Sequence, residues 1–573
     1  MRDPKKDELC IELSKELETY PRMFDWVDRW AKEKPNDIAL IEYNTGAEVT
    51  WKDLSTKSKA FAAKLLNMGV KKGDVVATML VLLKEHVYLM YACYRIGAIF
   101  SPLDPRLKVH EVDRCFQQMK PKIFFCLGKT QVTDFRLIIK EMISKHGKVN
   151  GGSCLHFIQF QKETDQIVDG AKGITDFAKD IKKIFIKALI TGKVKKAQKQ
   201  VTRRDPILII FTTGSTGYPK PALLCSENIL VQNIGLGVAF DMEPDDLMLV
   251  NLPPSHVGCT TEQLATTIYA GATSVLLHIF KPDESLAAIQ KYKITLFGQI
   301  PALFATEWRL PNYKDYDLST LKFALYGGQT VTRQFLEQLS TMAPKFGTGL
   351  GLTEIGGFCT YSALDGTVDD ILASVGFDMP LCPISIREPM NENGTAGDEK
   401  PKGEIGDICF SGPQVFLGYL NDEENTRKTI SKDGLLYTGD LGSYDENGLH
   451  FAGRSKLLIK PGGNNVFPTE VEEFISSELK PKVAAVAVVG ALHDILTEGI
   501  MAFVEKKPDV SLNADEVLTA CMNMASFKRP SHVVILEPEA MPLNRVSKTD
   551  YVELKTRAGK IIEDLRREGG WDK

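Results

Sequence analysis

The 573-residue sequence has no long apolar run, no CxxC pair, no internal repeat and almost no net charge. Its longest apolar stretches, such as residues 75–83, fall well short of the ~20 residues a membrane-spanning helix needs. Eleven cysteines are scattered from Cys10 to Cys521. That spacing excludes a zinc ribbon and a disulfide framework, and fits the reduced thiols of a cytosolic protein. Seventy Lys and Arg against seventy-four Asp and Glu leave a formal charge of −4, so a chain-wide basic field for nucleic acid is excluded. The opening Met1-Arg2-Asp3-Pro4-Lys5-Lys6 leads into a polar helical stretch rather than a signal-peptide apolar core, and a cytoplasmic location is expected. Without self-similarity at roughly 20–50 residues, a solenoid or propeller is excluded.

What is present is ordinary globular composition, 43% hydrophobic and 25% charged, at a length that calls for at least two domains. Size favours an enzyme over a scaffold. Between residues 22 and 130, helical and strand patterns alternate. Phe24, Val27, Trp30 and Ala31 recur at helical spacing, 39–41 reads as a short strand, 54–68 as an amphipathic helix and 75–80 as a strand. The alternation resumes at 207–211 and continues through short buried strands at 247–251, 273–277, 295–297 and 323–326. Such order predicts α/β architecture with a largely parallel sheet. From about residue 400 shorter strands punctuated by turns take over, as at 403–408. A boundary is expected at Gly453-Arg454-Ser455-Lys456, leaving a C-terminal piece with strands at 483–489 and 500–504, large enough for a small α+β domain.

Residues 181–204 stand apart, with seven Lys, two Arg and no acid. Ile181, Ile184, Phe185, Ala188 and Leu189 fall at helical spacing and predict a basic amphipathic helix. Two readings stay open: a surface helix docked on its own domain, or a site for phosphates or anionic lipid.

Four local patterns carry chemistry. In Phe211-Thr212-Thr213-Gly214-Ser215-Thr216-Gly217-Tyr218-Pro219-Lys220, a buried strand delivers glycines and hydroxyls ending in a lysine. Bare backbone N–H groups, hydroxyls and a compact cation suit a polyphosphate, although the order is not that of a Walker A loop. Gly347-Thr348-Gly349-Leu350-Gly351-Leu352-Thr353-Glu354 repeats the permissive glycines and adds a hydroxyl beside a carboxylate. A single carboxylate next to phosphates is what Mg²⁺ uses, since it keeps most of its waters. In Tyr437-Thr438-Gly439-Asp440 an acid follows a strand and is able to accept both hydroxyls of a ribose, though an acid in a turn is commonplace. Lys548, in Pro542-Leu543-Asn544-Arg545-Val546-Ser547-Lys548, reads alone as a solvated surface group.

In this order the patterns, together with Tyr326-Gly327-Gly328-Gln329, Gly403-Glu404-Ile405-Gly406, Gly418-Tyr419 and Gly453-Arg454 followed by Pro468-Thr469-Glu470-Val471-Glu472, resemble the adenylate-forming superfamily over about residues 20–560. That superfamily comprises acyl-CoA synthetases, peptide-synthetase adenylation domains and luciferases. The resemblance implies a large N-terminal domain (1–453) of mixed and parallel sheets with a β-barrel-like part, binding ATP and the acid. It also implies a small mobile C-terminal domain (454–573) carrying a catalytic lysine. It implies ATP, Mg²⁺ and coenzyme A, and a carboxylate that attacks the α-phosphate before a thiol takes the acyl group. Carried over by position, Thr212, Thr213, Gly214, Ser215, Thr216, Gly217 and Lys220 hold the β,γ-phosphates. Glu354, with Thr213, holds the metal, and Thr353 contacts the α-phosphate. Gly328, Gln329, Thr330, Thr348, Gly349, Leu350, Gly351 and Leu352 surround the nucleotide. Asp440 binds the ribose, supported by Arg454, and Lys548 bridges the carboxylate and the α-phosphate. Lys456 is the hinge, and Lys460, Gly462, Gly463 and Asn464 line the path of CoA.

The sequence departs from the family at Pro221, which lacks an N–H after Lys220, at Leu350 in place of an aromatic, at Ser547 in place of glycine and at Asn465, near where some members carry Arg. The acyl pocket is expected at His256, Val257, Gly327 and Gly356, with Gly351, Gly357 and Phe358 flooring it. Ser255, His256, Val257, Gly258 and Cys259 offer no acid to hold an ammonium, which disfavours an amino acid. A medium-chain, alicyclic or aromatic acid is expected. CoA is the expected acceptor, because little chain follows Lys548. The alternatives are transfer to a carrier protein, an enzyme run toward ATP, or a non-catalytic nucleotide or acyl sensor. The basic 181–204 segment would meet the 3′-phosphate of CoA or an acidic membrane, and a monomer or homodimer is expected.

Overall fold

Strands and helices alternate as the periodicity predicts, in a computed structural model that describes residues 2–130, 133–161, 166–212, 219–461, 466–544 and 548–571. Seven strands form one sheet, in the order Lys345–Gly347, Phe323–Tyr326, Leu296–Gln299, Leu247–Val250, Thr273–Leu276, Ile38–Glu42 and Ala47–Thr50. All neighbours are parallel except the last pair. A second sheet of eight strands runs from Gly418–Tyr419 and Lys220–Cys225 through Pro206–Thr212, Ile99–Pro102 and Val75–Met79 to Ala171–Gly173.

Burial on both faces explains why these strands read as continuous apolar runs. In the seven-stranded sheet Leu40, Met248, Val250, Leu296, Phe323 and Leu325 enter the large core shared with the second sheet. Their neighbours Ile41, Leu249, Phe297, Ala324 and Tyr326 enter a separate core beneath helices Pro282–Tyr292, Pro301–Trp308 and Arg333–Leu339. The split follows from the two-residue repeat of a strand.

Four antiparallel strands, Ile384–Arg387, Gly406–Phe410, Leu436–Asp445 and Gly448–Arg454, make up the turn-punctuated region. Among the described residues their ladder does not close, so the barrel-like part takes the form of an open sheet. The strand expected at 403–408 starts at Gly406, because Gly403 sits in a turn at φ +83°.

The C-terminal piece has its own sheet, Val483–His493, Thr497–Lys506 and His532–Leu536. Val488, Ile500, Ala502 and Val504 pack on helices Pro468–Glu478 and Ala514–Cys521. On the other face Ala487, Val489, Met501 and Phe503 pack on Leu554, Ala558 and Ile562 of helix Tyr551–Arg567. The basic segment forms two helices, Ile181–Thr191 and Lys193–Gln198, divided at Gly192, which takes φ +64°. Among the described residues no helix is long and apolar enough to cross a membrane.

Candidate active site

The loops that follow the carboxyl ends of the parallel strands converge on one cavity of about 1990 Å³, where open parallel sheets place their ligands. Gln299 ends strand Leu296–Gln299 and Ile300 follows it, Gly327 to Gln334 follow Phe323–Tyr326, and Thr348 to Glu354 follow Lys345–Gly347. The antiparallel sheet contributes Thr438, Gly439, Asp440 and Arg454, and the C-terminal piece contributes Thr469, Glu472, Asn544 and Lys548. Residues far apart in sequence are thus brought together as the motifs predict.

Lys548 lines this cavity and is held by backbone pairing with the chain before it. Its N–H donates to Asn544 Oδ1 at 3.1 Å, its carbonyl accepts from Asn544 N–H at 2.7 Å, and Leu543 pairs with Thr549. Two residues later Asp550 caps the last helix, accepting from the N–H groups of Val552 and Glu553. Burial pushes the ammonium down to about 8; nearby Arg454 adds to this, while Asp440 and Glu262 oppose it.

Asp440 is buried, and register places it opposite Arg454 across the hairpin. Arg454 Nε lies 3.2 Å from its Oδ1, yet among the described residues that oxygen has no hydrogen-bond partner. Burial raises the Asp440 carboxyl above its ordinary value, against the pull of Arg454. A buried carboxylate with an unfilled acceptor on a cavity wall fits a ligand that presents hydroxyls.

Glu354 follows Thr353 in the one-turn helix Thr353–Ile355, and the Tyr419 hydroxyl donates to its Oε1 at 2.6 Å. Strand Gly418–Tyr419 lies antiparallel to Ala222 and Leu223, which fixes that tyrosine. Lys220 pairs with Thr212, and its Nζ stands 5.0 Å from the Tyr419 ring centre. Thr348, buried, donates its N–H to Ser362 Oγ at 2.8 Å and its hydroxyl to the Tyr326 carbonyl at 3.0 Å. Gly328, Gln329, Thr330, Gly349, Leu350, Gly351, Leu352 and Thr353 all line the cavity. Thr213, Gly214, Ser215, Thr216 and Gly217, the CoA-loop residues Gly462, Gly463, Asn464 and Asn465, Ser547 and the side chain of Lys456 lie outside the described residues.

His256, Val257 and Gly327 line the cavity as well. His256 Nδ1 accepts the Gly258 N–H at 3.1 Å, and burial pushes the imidazole down to about 4. The ring is therefore neutral, with its proton on Nε2. Gly356 does not line the cavity; it caps the short helix at φ +72°, and a Cβ there would meet Leu224 instead. Lys460 is also outside it, exposed, with its N–H on Glu498 Oε2.

The expectation of a wall without an acid is overturned. Residues Gly258–Ala265 form a π-helix, and its Glu262 lines the cavity. The wider turn aims a residue inward that a 3.6-residue repeat would place elsewhere. Burial raises Glu262 to about 7, against the pull of Lys548 and the Phe358 N–H that it accepts.

The AMP-binding enzyme family matches residues 27–420, and the AMP-binding enzyme C-terminal domain matches 470–548. The putative acyl-CoA synthetase YngI of Bacillus subtilis (strain 168) is 26% identical, covering 90% of this chain and 93% of its own. The indoleacetate–CoA ligase of Aromatoleum aromaticum is 28% identical, with 93% and 98% covered. The structure of the anthranilate CoA ligase AuaEII with anthranoyl-AMP superposes at TM-score 0.78 and 20% identity, over 95% and 98% of the chains. ATP-bound MatB from Rhodopseudomonas palustris does so at 0.76 and 23%, over 94% and 99%.

Proposed function

Because the chain belongs to the AMP-binding enzyme family, we propose that it is an AMP-forming carboxylic acid–CoA ligase. The observation that carries this reading is the meeting of Lys548, Asp440 and Glu354 in one cavity at the strand ends. In the first step a substrate carboxylate oxygen attacks the α-phosphorus of ATP. The bond from that phosphorus to the bridging oxygen breaks, and pyrophosphate leaves with the electron pair. In the second step the CoA thiol adds to the acyl carbon and AMP departs, with the thiol proton released. Activation is needed because a bare carboxylate is a poor acyl donor, whereas its mixed anhydride with AMP has a good leaving group.

Each residue then has a task. Lys548 holds the attacking oxygen and the α-phosphate, offsetting negative charge as it develops. Asp440 Oδ1 accepts the ribose hydroxyls, and Arg454 keeps that carboxylate charged. Thr348, Gly349 and Leu350 wall the base, and Lys220 meets the outer phosphates. Glu354 suits a magnesium ion, since Tyr419 occupies one oxygen and fixes the group at the cavity wall. Such an ion, when bound, offsets charge on the phosphate oxygens. Residues 1–453 and 454–573 act as two bodies that reorient about Lys456 between the half-reactions.

Acid-dependent ATP–pyrophosphate exchange tests the reading across straight-chain, alicyclic and aromatic acids. Exchange that is lost by about 10²–10³-fold in Lys548→Ala is expected. Nucleotide binding with no exchange for any acid would leave the protein a sensor.

A further inference from the structure

The apolar end of the cavity is lined by Leu236, Met248, Leu252, Val257, Leu325 and Phe358, and into it projects one carboxyl, that of Glu262. Among the described residues no cation forms an ion pair with Glu262, and its one hydrogen-bond partner is the Phe358 N–H. A carboxyl has room for several donors, so most of its accepting capacity faces the cavity. Two bare glycines make space for it. A Cβ at Gly357 would lie 2.7 Å from Glu262 Cγ and 2.8 Å from Oε1, and a Cβ at Gly258 would lie 3.6 Å from Oε2. Leaving a carboxyl half-satisfied in an apolar pocket is unfavourable unless a bound molecule completes it.

Resting on the ligase reading, we propose that Glu262 selects the substrate, and that the activated acid carries an amine or hydroxyl whose hydrogen the Glu262 carboxyl accepts. Lys548, at the carboxylate end, and Glu262 lie near enough to feel each other's charge, so one compact acid bridges them. An acid with a plain hydrocarbon portion would seal Glu262 away from any donor and be disfavoured.

The test measures exchange kcat/KM for matched acids differing by one amino or one hydroxyl group, on aromatic, alicyclic and straight-chain skeletons. Wild type is expected to prefer a donor-bearing member over its parent by at least about tenfold. Glu262→Leu should reverse that preference, and the near-isosteric Glu262→Gln should keep it for hydroxy acids while losing it for amines. Equal rates within every pair, or a Glu262→Leu loss that is uniform across acids, overturns the proposal and leaves adenylation standing. No exchange with any acid overturns the ligase reading itself.

A different observation carries a second inference. On helix Ile181–Thr191, Ala188 is buried and Ile181, Ile184 and Phe185 pack against the core, so the docked-helix reading holds for that face. The opposite face exposes Ile186, Leu189 and Ile190 at 50%, 61% and 82%, spaced i, i+3 and i+4. Lys182, Lys183 and Lys187 flank them, and Lys193, Lys195, Lys196 and Lys199 follow on the next helix. Among the described residues none of these seven lysines is in an ion pair, and none of residues 181–204 lines the large cavity. We infer that this face rests on an anionic membrane surface, its three apolar side chains entering the acyl boundary and its lysines meeting the headgroups.

Sedimentation of the full chain with phosphatidylcholine vesicles, with and without phosphatidylserine, tests it. Binding is expected only with the anionic lipid, weakening about fivefold for each lysine changed to Gln and abolished in Leu189→Ser with Ile190→Ser. Equal partition to both vesicles, or none, overturns it. So does a wild-type dimer that the Ser variant dissociates without any vesicle binding.

Discussion

A Cβ built at Gly328 would stand 3.4 Å from both Cε and Nζ of Lys548, so the turn after strand Phe323–Tyr326 directly bounds the lysine head. Gly328 also takes φ +93°, where a side chain is strained by about 1–2 kcal/mol. Gly328→Ala is therefore expected to lower the melting temperature by a few degrees and, by placing a methyl against the ammonium where it would meet its ligands, to slow exchange about tenfold or more. Gly46→Ala separates the two effects. Gly46 shares the left-handed backbone at φ +68° but a Cβ there meets nothing within 4 Å. It should lose stability and keep full exchange.

The depressed Lys548 gives a pH signature. Its cation is the form that engages carboxylate and phosphate, and burial beside Arg454 brings its pKa down to about 8. Exchange kcat/KM, which reports the free enzyme, should fall as pH rises through about 8. The kcat limb should lie higher, because bound phosphate favours the cation. Glu262→Gln removes one of the two acids that support the charge, so its kcat/KM limb should move to lower pH. A kcat/KM flat from pH 7 to about 10 would remove Lys548 from the first step.

Much of this was legible in the sequence. Short apolar runs gave the strands because both faces of each sheet are buried, and the loops after them carried the expected Thr348 and Glu354 to one cavity, where strand Leu436–Asp445 adds Asp440 and the C-terminal piece adds Lys548. Glu262 was hidden because it lies in Thr-Thr-Glu-Gln-Leu-Ala, which reads as a plain helix turn, while the chain there winds as a π-helix. Gly356 and Gly357 were equivalent in sequence. Only backbone geometry turns the first toward Leu224 and sets the second against Glu262. Tyr419 stood in a quoted motif without a task, since its grip on Glu354 depends on a strand pairing between residues 418–419 and 222–223.

Asp440→Asn should trade stability against nucleotide binding. The wild-type carboxyl is buried, raised by desolvation, and among the described residues carries one oxygen without a hydrogen bond. Removing its charge relieves that burden, so the unliganded variant should melt at or above the wild-type temperature. The melting shift produced by ATP should shrink, and the exchange KM for ATP should rise about tenfold or more. An unchanged ATP-dependent shift would place the ribose elsewhere.

Glu307 offers a test of stability rather than catalysis. It is fully buried on helix Pro301–Trp308, and its Oε2 accepts from Gln299 Nε2 at 2.6 Å. Gln299 in turn accepts from Asn251, which accepts from Gln263 at the start of the cavity wall. Burial raises the Glu307 carboxyl to about 8, whereas an unfolded glutamate titrates near 4.3. Between those values the native chain keeps a proton that the unfolded chain has released. The native state therefore binds more protons, and stability falls as pH rises through that window, at up to roughly 1.4 kcal/mol per pH unit. Glu307→Gln keeps an acceptor oxygen for Gln299 and cannot ionise. Its melting temperature, relative to wild type, should climb steadily from about pH 5 to about pH 8 and level off above it. Glu262 and Glu472, which burial also raises to about 7, act with the same sign in both proteins and cancel in the difference. Parallel curves for the two proteins would mean that Glu307 is already ionised at neutral pH.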